Sequence, residues 1–140
     1  MARMEQRLAE MDRLIRKVLQ ATRQWPPVDM ELSKQQIFLL LTLLDKKRAT
    51  VGELAEQLAL SPSATTIAVN RLTQIGYIDR SRDESDRRLV WLQLSEEGER
   101  RICRFKDQRN EFLIQMLRCL SDEEADQFFA LLEKMTNRIT

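Results

Sequence analysis

Residues 62–75 read Pro-Ser-Ala-Thr-Thr-Ile-Ala-Val-Asn-Arg-Leu-Thr-Gln-Ile, with no acidic side chain among them. Serine, threonine, asparagine and glutamine offer hydrogen-bond donors and acceptors without charge. On a helix, three- and four-residue steps would put Ala64, Ile67, Ala68, Leu72 and Ile75 on a core face. Ser63, Thr65, Thr66, Val69, Asn70, Thr73 and Gln74 would then lie on the other side. A helix exposed only for solubility normally carries Glu and Lys. A face of hydroxyls and amides without carboxylates suits a DNA major groove, where phosphates repel acids and base edges pair with such groups. A second cluster, Asp-Glu-Ser-Asp-Arg-Arg at residues 83–88, sits between two short apolar runs, at the tip of a predicted hairpin. Arg87 and Arg88 there suit a narrow minor groove or its phosphates. An aspartate two residues from an arginine, as Asp86 is from Arg88, can hold the guanidinium in one orientation.

Other chemistry finds little support in the composition. The chain has no histidine, so the commonest general base and the commonest metal ligand are both missing. Its cysteines, Cys103 and Cys119, are too few for a zinc cluster. They fall about 24 Å apart along one helix at about 1.5 Å per residue, too far to pair within it. Free thiols fit a reducing cytosol, and buried structural cysteines are the expectation over redox sensors. Neither a cofactor nor a metal is expected. The formal net charge is +1, so any basic footprint must come from local placement. The amphipathic N-terminus mixes acids with bases, which a signal peptide does not, and no apolar run is long enough to span a bilayer. The expected location is cytoplasmic.

The elements that would hold these clusters can be read from periodicity and caps. Leu8, Met11, Leu14, Ile15, Val18 and Leu19 mark one face of a first helix, stopped by Trp25-Pro26-Pro27. Val28 and Met30 are candidate anchors in the linker. Ser33 with Gln36 forms a capping box for a second helix, apolar nearly all round from Ile37 to Leu44 and therefore expected in the core. Thr50 with Glu53 opens a third, with Val51, Leu54, Ala55 and Leu58 inward. Ser61 and Pro62 form an N-cap and first helical position, and Gly76 supplies the stop. Two strands follow, with Leu92 and Leu94 facing the core. Ser95 starts a long helix with Ile102, Phe105, Phe112, Leu113, Met116, Leu117 and Leu120 along it. Ser121 with Glu124 boxes a last helix carrying Ala125, Phe128, Phe129, Leu132, Met135 and Ile139. The terminal helices carry more apolar surface than one small domain can bury, which points to self-association. Helix, short turn, helix and basic-tipped hairpin in succession is far more specific than either cluster alone.

The segment RLTQIGYIDRSRDESDRRLVWLQLSEEG, residues 71–98, resembles the multiple-antibiotic-resistance regulator (MarR) family of winged-helix transcription factors. The likeness consists of an Arg-Leu pair, a helix-ending glycine, a strand ending in arginine, an Asp-x-Arg-Asp-x-Arg-like wing, and a strand leading into Leu-Ser-x-x-Gly. It implies wing-motif positions for Asp83, Asp86 and Arg88, with Arg88 entering the groove under the control of Asp86. Ser85 departs from the pattern where the family often has arginine, with Arg87 close by. The resemblance also implies an obligate homodimer formed by the terminal helices.

The expected fold is thus mainly α with a small β-hairpin. Residues 32–98 form a winged helix-turn-helix lobe. Residues 1–31, a helix and linker, and residues 99–140 form a helical dimerisation lobe. The expected function is that of a sequence-specific, duplex-DNA-binding regulator with no catalytic role, a homodimeric repressor responsive to a small molecule. The DNA-contacting candidates are Ser61, Ser63, Thr65, Thr66, Asn70, Arg71, Arg82, Asp86, Arg87 and Arg88. Trp25, Phe38 and Phe105, with Phe112, line an effector pocket or belong to the core. Arg100, Arg101 and Arg104 contact phosphate or form a solvated face. The alternative function is a winged helix that uses the same surface to bind protein.

Overall fold

The structure is a computed structural model that describes residues 1–21 and 31–139. The proline stop at Trp25-Pro26-Pro27, the anchors Val28 and Met30, and Trp25 as a pocket residue lie outside the described residues. The elements run α1 (Ala2–Ala21), α2 (Lys34–Lys46), β1 (Arg48–Ala49), α3 (Val51–Leu58), α4 (Pro62–Gln74), β2 (Ile78–Arg82), β3 (Val90–Leu94), α5 (Glu96–Leu117) and α6 (Asp122–Thr136).

Local chemistry sets the helix starts. Ser33 Oγ accepts from Gln36 N while Gln36 Oε1 accepts from Ser33 N, a complete box, and Ser121 with Glu124 repeats it. At Thr50 the forward half is made, with Oγ1 accepting from Glu53 N at 3.2 Å. Ser61 Oγ accepts from Ala64 N at 3.1 Å, and Pro62 follows without sacrificing a helical bond. Gly76 ends α4 with φ +87°, a conformation that costs an L side chain about 1–2 kcal/mol. Its neighbour Tyr77 then returns its N–H to Leu72 O at 2.9 Å.

The expected hairpin is part of a three-stranded antiparallel sheet, order β1-β3-β2. The extra strand is Arg48–Ala49, pairing with Gln93 and Leu92. It is too short to have a period, which is why the sequence pattern gives no sign of it. Lys47, at φ +72°, turns the chain out of α2 into it.

Two compact units divide the chain, Met1–Phe105 and Lys106–Thr140. The core belongs to the first and gathers Leu39, Leu40 and Leu43 of α2, Leu54 of α3, Val69 and Leu72 of α4, Ile78, Leu92, and Ile102 and Phe105 of α5. Each such side chain withdrawn from water stabilises the fold by about 1.5–3 kcal/mol. Val51, Leu58 and Leu94 pack against this cluster as expected. α2 is not buried all round, however, because Phe38 is 58% exposed. Cys119 is exposed and Cys103 half-buried, so neither is the buried structural cysteine expected. No residue of α1 or of α6 is buried, and their apolar faces are open. Among the described residues, no helix is long and apolar enough to cross a membrane.

Candidate nucleic-acid interface

α3 ends at Ala59 in the left-handed conformation, φ +53°, and Leu60 N donates to Ala55 O at 2.9 Å. The chain thereby turns within two residues into the Ser61 cap of α4. The face that α4 turns to the core is Thr65, Ala68, Val69 and Leu72. This is shifted from the face read in the sequence, and the shift corrects several assignments. Thr65 is fully buried, and its Oγ1 donates to Ser61 O at 2.9 Å, so it is not available as a DNA contact. Val69 is core. Ile67 and Ile75, expected in the core, are exposed, Ile67 to 69%. The back-bond lets a threonine enter the core with its polar atom satisfied, and hydrophobicity alone cannot anticipate that.

The remaining candidates on and before α4 stay at the surface. Ser61, Ser63, Thr66, Asn70 and Arg71 are all exposed. The Ser61 oxygen serves the cap. Thr66 Oγ1 donates to Pro62 O at 2.9 Å, which leaves its lone pairs and methyl group outward. Asn70 Oδ1 accepts from Arg80 of β2. In the sheet register Arg80 lies opposite Leu92, on the face of the sheet that carries Ile78 and Leu94. That registry brings its guanidinium to α4 and links the helix to the wing.

The wing, residues 83–89, is built around Asp83. Its Oδ2 accepts from Ser85 N at 3.1 Å and Asp86 N at 2.9 Å, and its Oδ1 accepts from Trp91 Nε1 at 2.9 Å. Two backbone bonds, Asp83 N to Leu89 O and Leu89 N to Asp86 O, close the loop. The Trp91 indole N–H, the loop amides and the nearby Arg48 cation hold the Asp83 carboxyl below its usual range. Arg48 lies over the Trp91 ring, 4.1 Å from its centroid, a cation–π contact worth about 0.5–1 kcal/mol at an exposed site. Ser85 contributes its backbone amide, which any residue other than proline supplies, so its departure from the family pattern does not disturb the loop.

Asp86 Oδ1 accepts from Arg88 N at 3.0 Å and stands 3.5 Å from Arg88 Nε. The arginine side chain is otherwise almost wholly in water. Arg82 and Arg87 are also exposed. Arg100 and Arg101 both bond Glu97 one turn earlier on α5, forming an ion-paired helix face whose carboxyl is held low by those partners.

α4 and the wing therefore form one surface with exposed arginines and no acid on the helix side. Sequence reasoning missed the anchoring role of Asp83, the helix-to-sheet link at Arg80, and the Arg48–Trp91 stack. Two of these left a trace, Asp83 as a wing-motif position in the resemblance and Arg80 in keeping step with Ile78 along β2. Of the residues expected to line an effector pocket or belong to the core, Phe105 is packed in the core and Phe38 is exposed.

The MarR family pattern matches residues 32–90. YwhA, an HTH-type transcriptional regulator of Bacillus subtilis described as uncharacterized, is 33% identical over 127 residues, covering 89% of this chain and 91% of its own. A MarR family protein from Bacillus stearothermophilus has a solved structure that is 31% identical, with a TM-score of 0.76 over 96% of both chains. Streptococcus pneumoniae FabT, solved in complex with DNA, matches over 96% of both chains with a TM-score of 0.81. At 21% identity that likeness concerns the fold.

Proposed function

The chain belongs to the MarR family, and from that membership we propose that it is a sequence-specific, duplex-DNA-binding transcriptional regulator that acts as a homodimer in the cytoplasm. α4 enters the major groove and the wing follows the adjacent minor groove. Contacts from Ser61, Ser63, Arg71, Arg82 and Arg87 to phosphate set position, while Thr66 and Asn70 meet base edges. Arg88, steered by Asp86, enters the minor groove.

The observation that carries this reading is the acid-free exposed face of α4 beside an arginine-tipped wing whose loop is closed on Asp83. A wing built only as a turn has no need of an indole anchor. Regulation by such a protein is steric repression. A small effector relieves it by favouring a dimer in which the two recognition helices are wrongly spaced.

The test is capture of fragments from the source genome by the full-length protein, followed by footprinting. The expected footprint is a pseudo-palindrome with half-sites separated by one helical turn, about 34–36 Å, or a multiple of it. Failure to enrich any fragment over the input would refute the proposal.

A further inference from the structure

Ile67 stands in the middle of α4, 69% exposed, with Thr66 before it and Asn70 one turn on. A branched apolar side chain is unfavourable in water at that place, and the chemistry around it limits what could cover it. Thr66 directs its hydroxyl proton to Pro62 O. Asn70 Oδ1 accepts from Arg80, so the Nδ2 protons are the donors that Asn70 keeps for an outside acceptor. The surface thus offers an apolar group beside an amide donor. Two exposed arginines stand next to Asn70, Arg71 following it on α4 and Arg80 bonded to its Oδ1, which favours a polyanion over an apolar protein partner.

In the major groove only thymine combines a methyl group with a neighbouring acceptor, its C5-methyl and O4. Adenine and guanine show no methyl, and cytosine shows a donor. Ile67 and Asn70 are about 4.5 Å apart along the helix axis at about 1.5 Å per residue. Base pairs are spaced about 3.4 Å, so both side chains fall on the same or neighbouring pairs. We infer that Ile67 is a thymine-reading residue, packing on the C5-methyl group of one thymine in each operator half-site while Asn70 donates to that thymine's O4 or to an acceptor on the next pair. This inference rests on the DNA-binding function proposed above.

The experiment begins with selection of sites from a random-sequence duplex pool by the full-length protein. The recovered site is then resynthesised with deoxyuridine replacing each thymine in turn, in both half-sites together. That change removes the methyl group and leaves O4 and base pairing intact. Affinities are measured for the parent and for Ile67→Ala, with circular dichroism as the folding control. The expected result is one position at which deoxyuridine weakens the parent about fourfold per half-site, the worth of one buried methyl group. Ile67→Ala should bind thymine and deoxyuridine sites alike at that position. Any effect of the methyl group on DNA shape would be felt by both proteins, so an equal loss in the two overturns the inference, as does the absence of loss at every thymine. Either result leaves DNA binding standing. A pool from which the parent enriches no sequence overturns the DNA-binding proposal and this inference with it.

Discussion

Asp83 shows how one carboxylate can organise a loop. Its two oxygens take three donors, and its pKa is lowered first by the Trp91 indole, then by the loop amides. A depressed folded pKa contributes stability that is present above the ordinary value of 3.8 and is lost as pH falls through the depressed one. In a Trp25→Phe background, Trp91 emission should therefore stay constant from neutral pH down to about pH 4 and change only below it. Asp83→Asn, which places an amide N–H against other donors, should show the altered emission already at neutral pH. Identical emission in the two proteins would show that the anchor is absent in solution. Asp86 and Arg88 carry a prediction of opposite character. Arg88→Ala should weaken operator binding and lower the salt slope by about one unit per lost phosphate-type contact. Asp86→Ala should weaken binding too, although it removes a negative charge, because Asp86 caps the Arg88 amide and faces its Nε. Titration of both variants against one duplex distinguishes this from simple electrostatics, in which losing an acid tightens binding.

The helix starts were legible because their signals are local: Ser33 with Gln36, Ser61 with Pro62, Ser121 with Glu124. Gly76 and the Leu92 and Leu94 alternation were equally plain. The facing of α4 was not, since its buried set includes Thr65 and its exposed set Ile67, the reverse of what polarity suggests. The threonine is accommodated by its bond to Ser61 O, a feature of folded geometry rather than of composition. Strand β1 depends on pairing with Leu92 and Gln93, far away in sequence, and the Asp83–Trp91 pair on the register of the folded hairpin, neither of which a hydrophobic period contains. The Leu-Ser-x-x-Gly segment gains a physical reason. Ser95 Oγ donates to Gly76 O at 2.5 Å and accepts from Gly98 N at 3.0 Å, drawing the start of α5 against the turn after α4. A Cβ on Gly98 would lie 2.1 Å from Tyr77 O, with backbone on both sides of the clash. Gly98→Ala should then destabilise the fold by about 1–3 kcal/mol or more, seen as a lower urea midpoint. An unchanged midpoint would mean that α5 approaches this turn less closely than 2.1 Å implies.

At both ends the chain presents apolar surface that its own core does not use. Leu8, Met11, Ile15 and Val18 on α1, and Phe128, Phe129, Leu132 and Met135 on α6, are all exposed. A 20-residue helix with no buried residue draws little support from its own monomer, and isolated helices owe most of their stability in proteins to packing. A homodimer through these faces should bury more than about 2,000 Å², and sedimentation should show no folded monomer at micromolar concentration. Ile15→Asp should drive dissociation together with loss of helix, whereas a folded, stable monomeric parent would refute the dimer. The function of the whole molecule turns on whether α4 and the wing read DNA. The most direct test is anisotropy titration of the full-length protein against its selected duplex and a scrambled duplex of equal composition, at several salt concentrations. The expected result is a preference of about a thousandfold or more for the selected site, with affinity falling linearly on a log–log plot against salt as bound counterions are released. Equal affinity for the two duplexes, or binding that does not respond to salt, would contradict it.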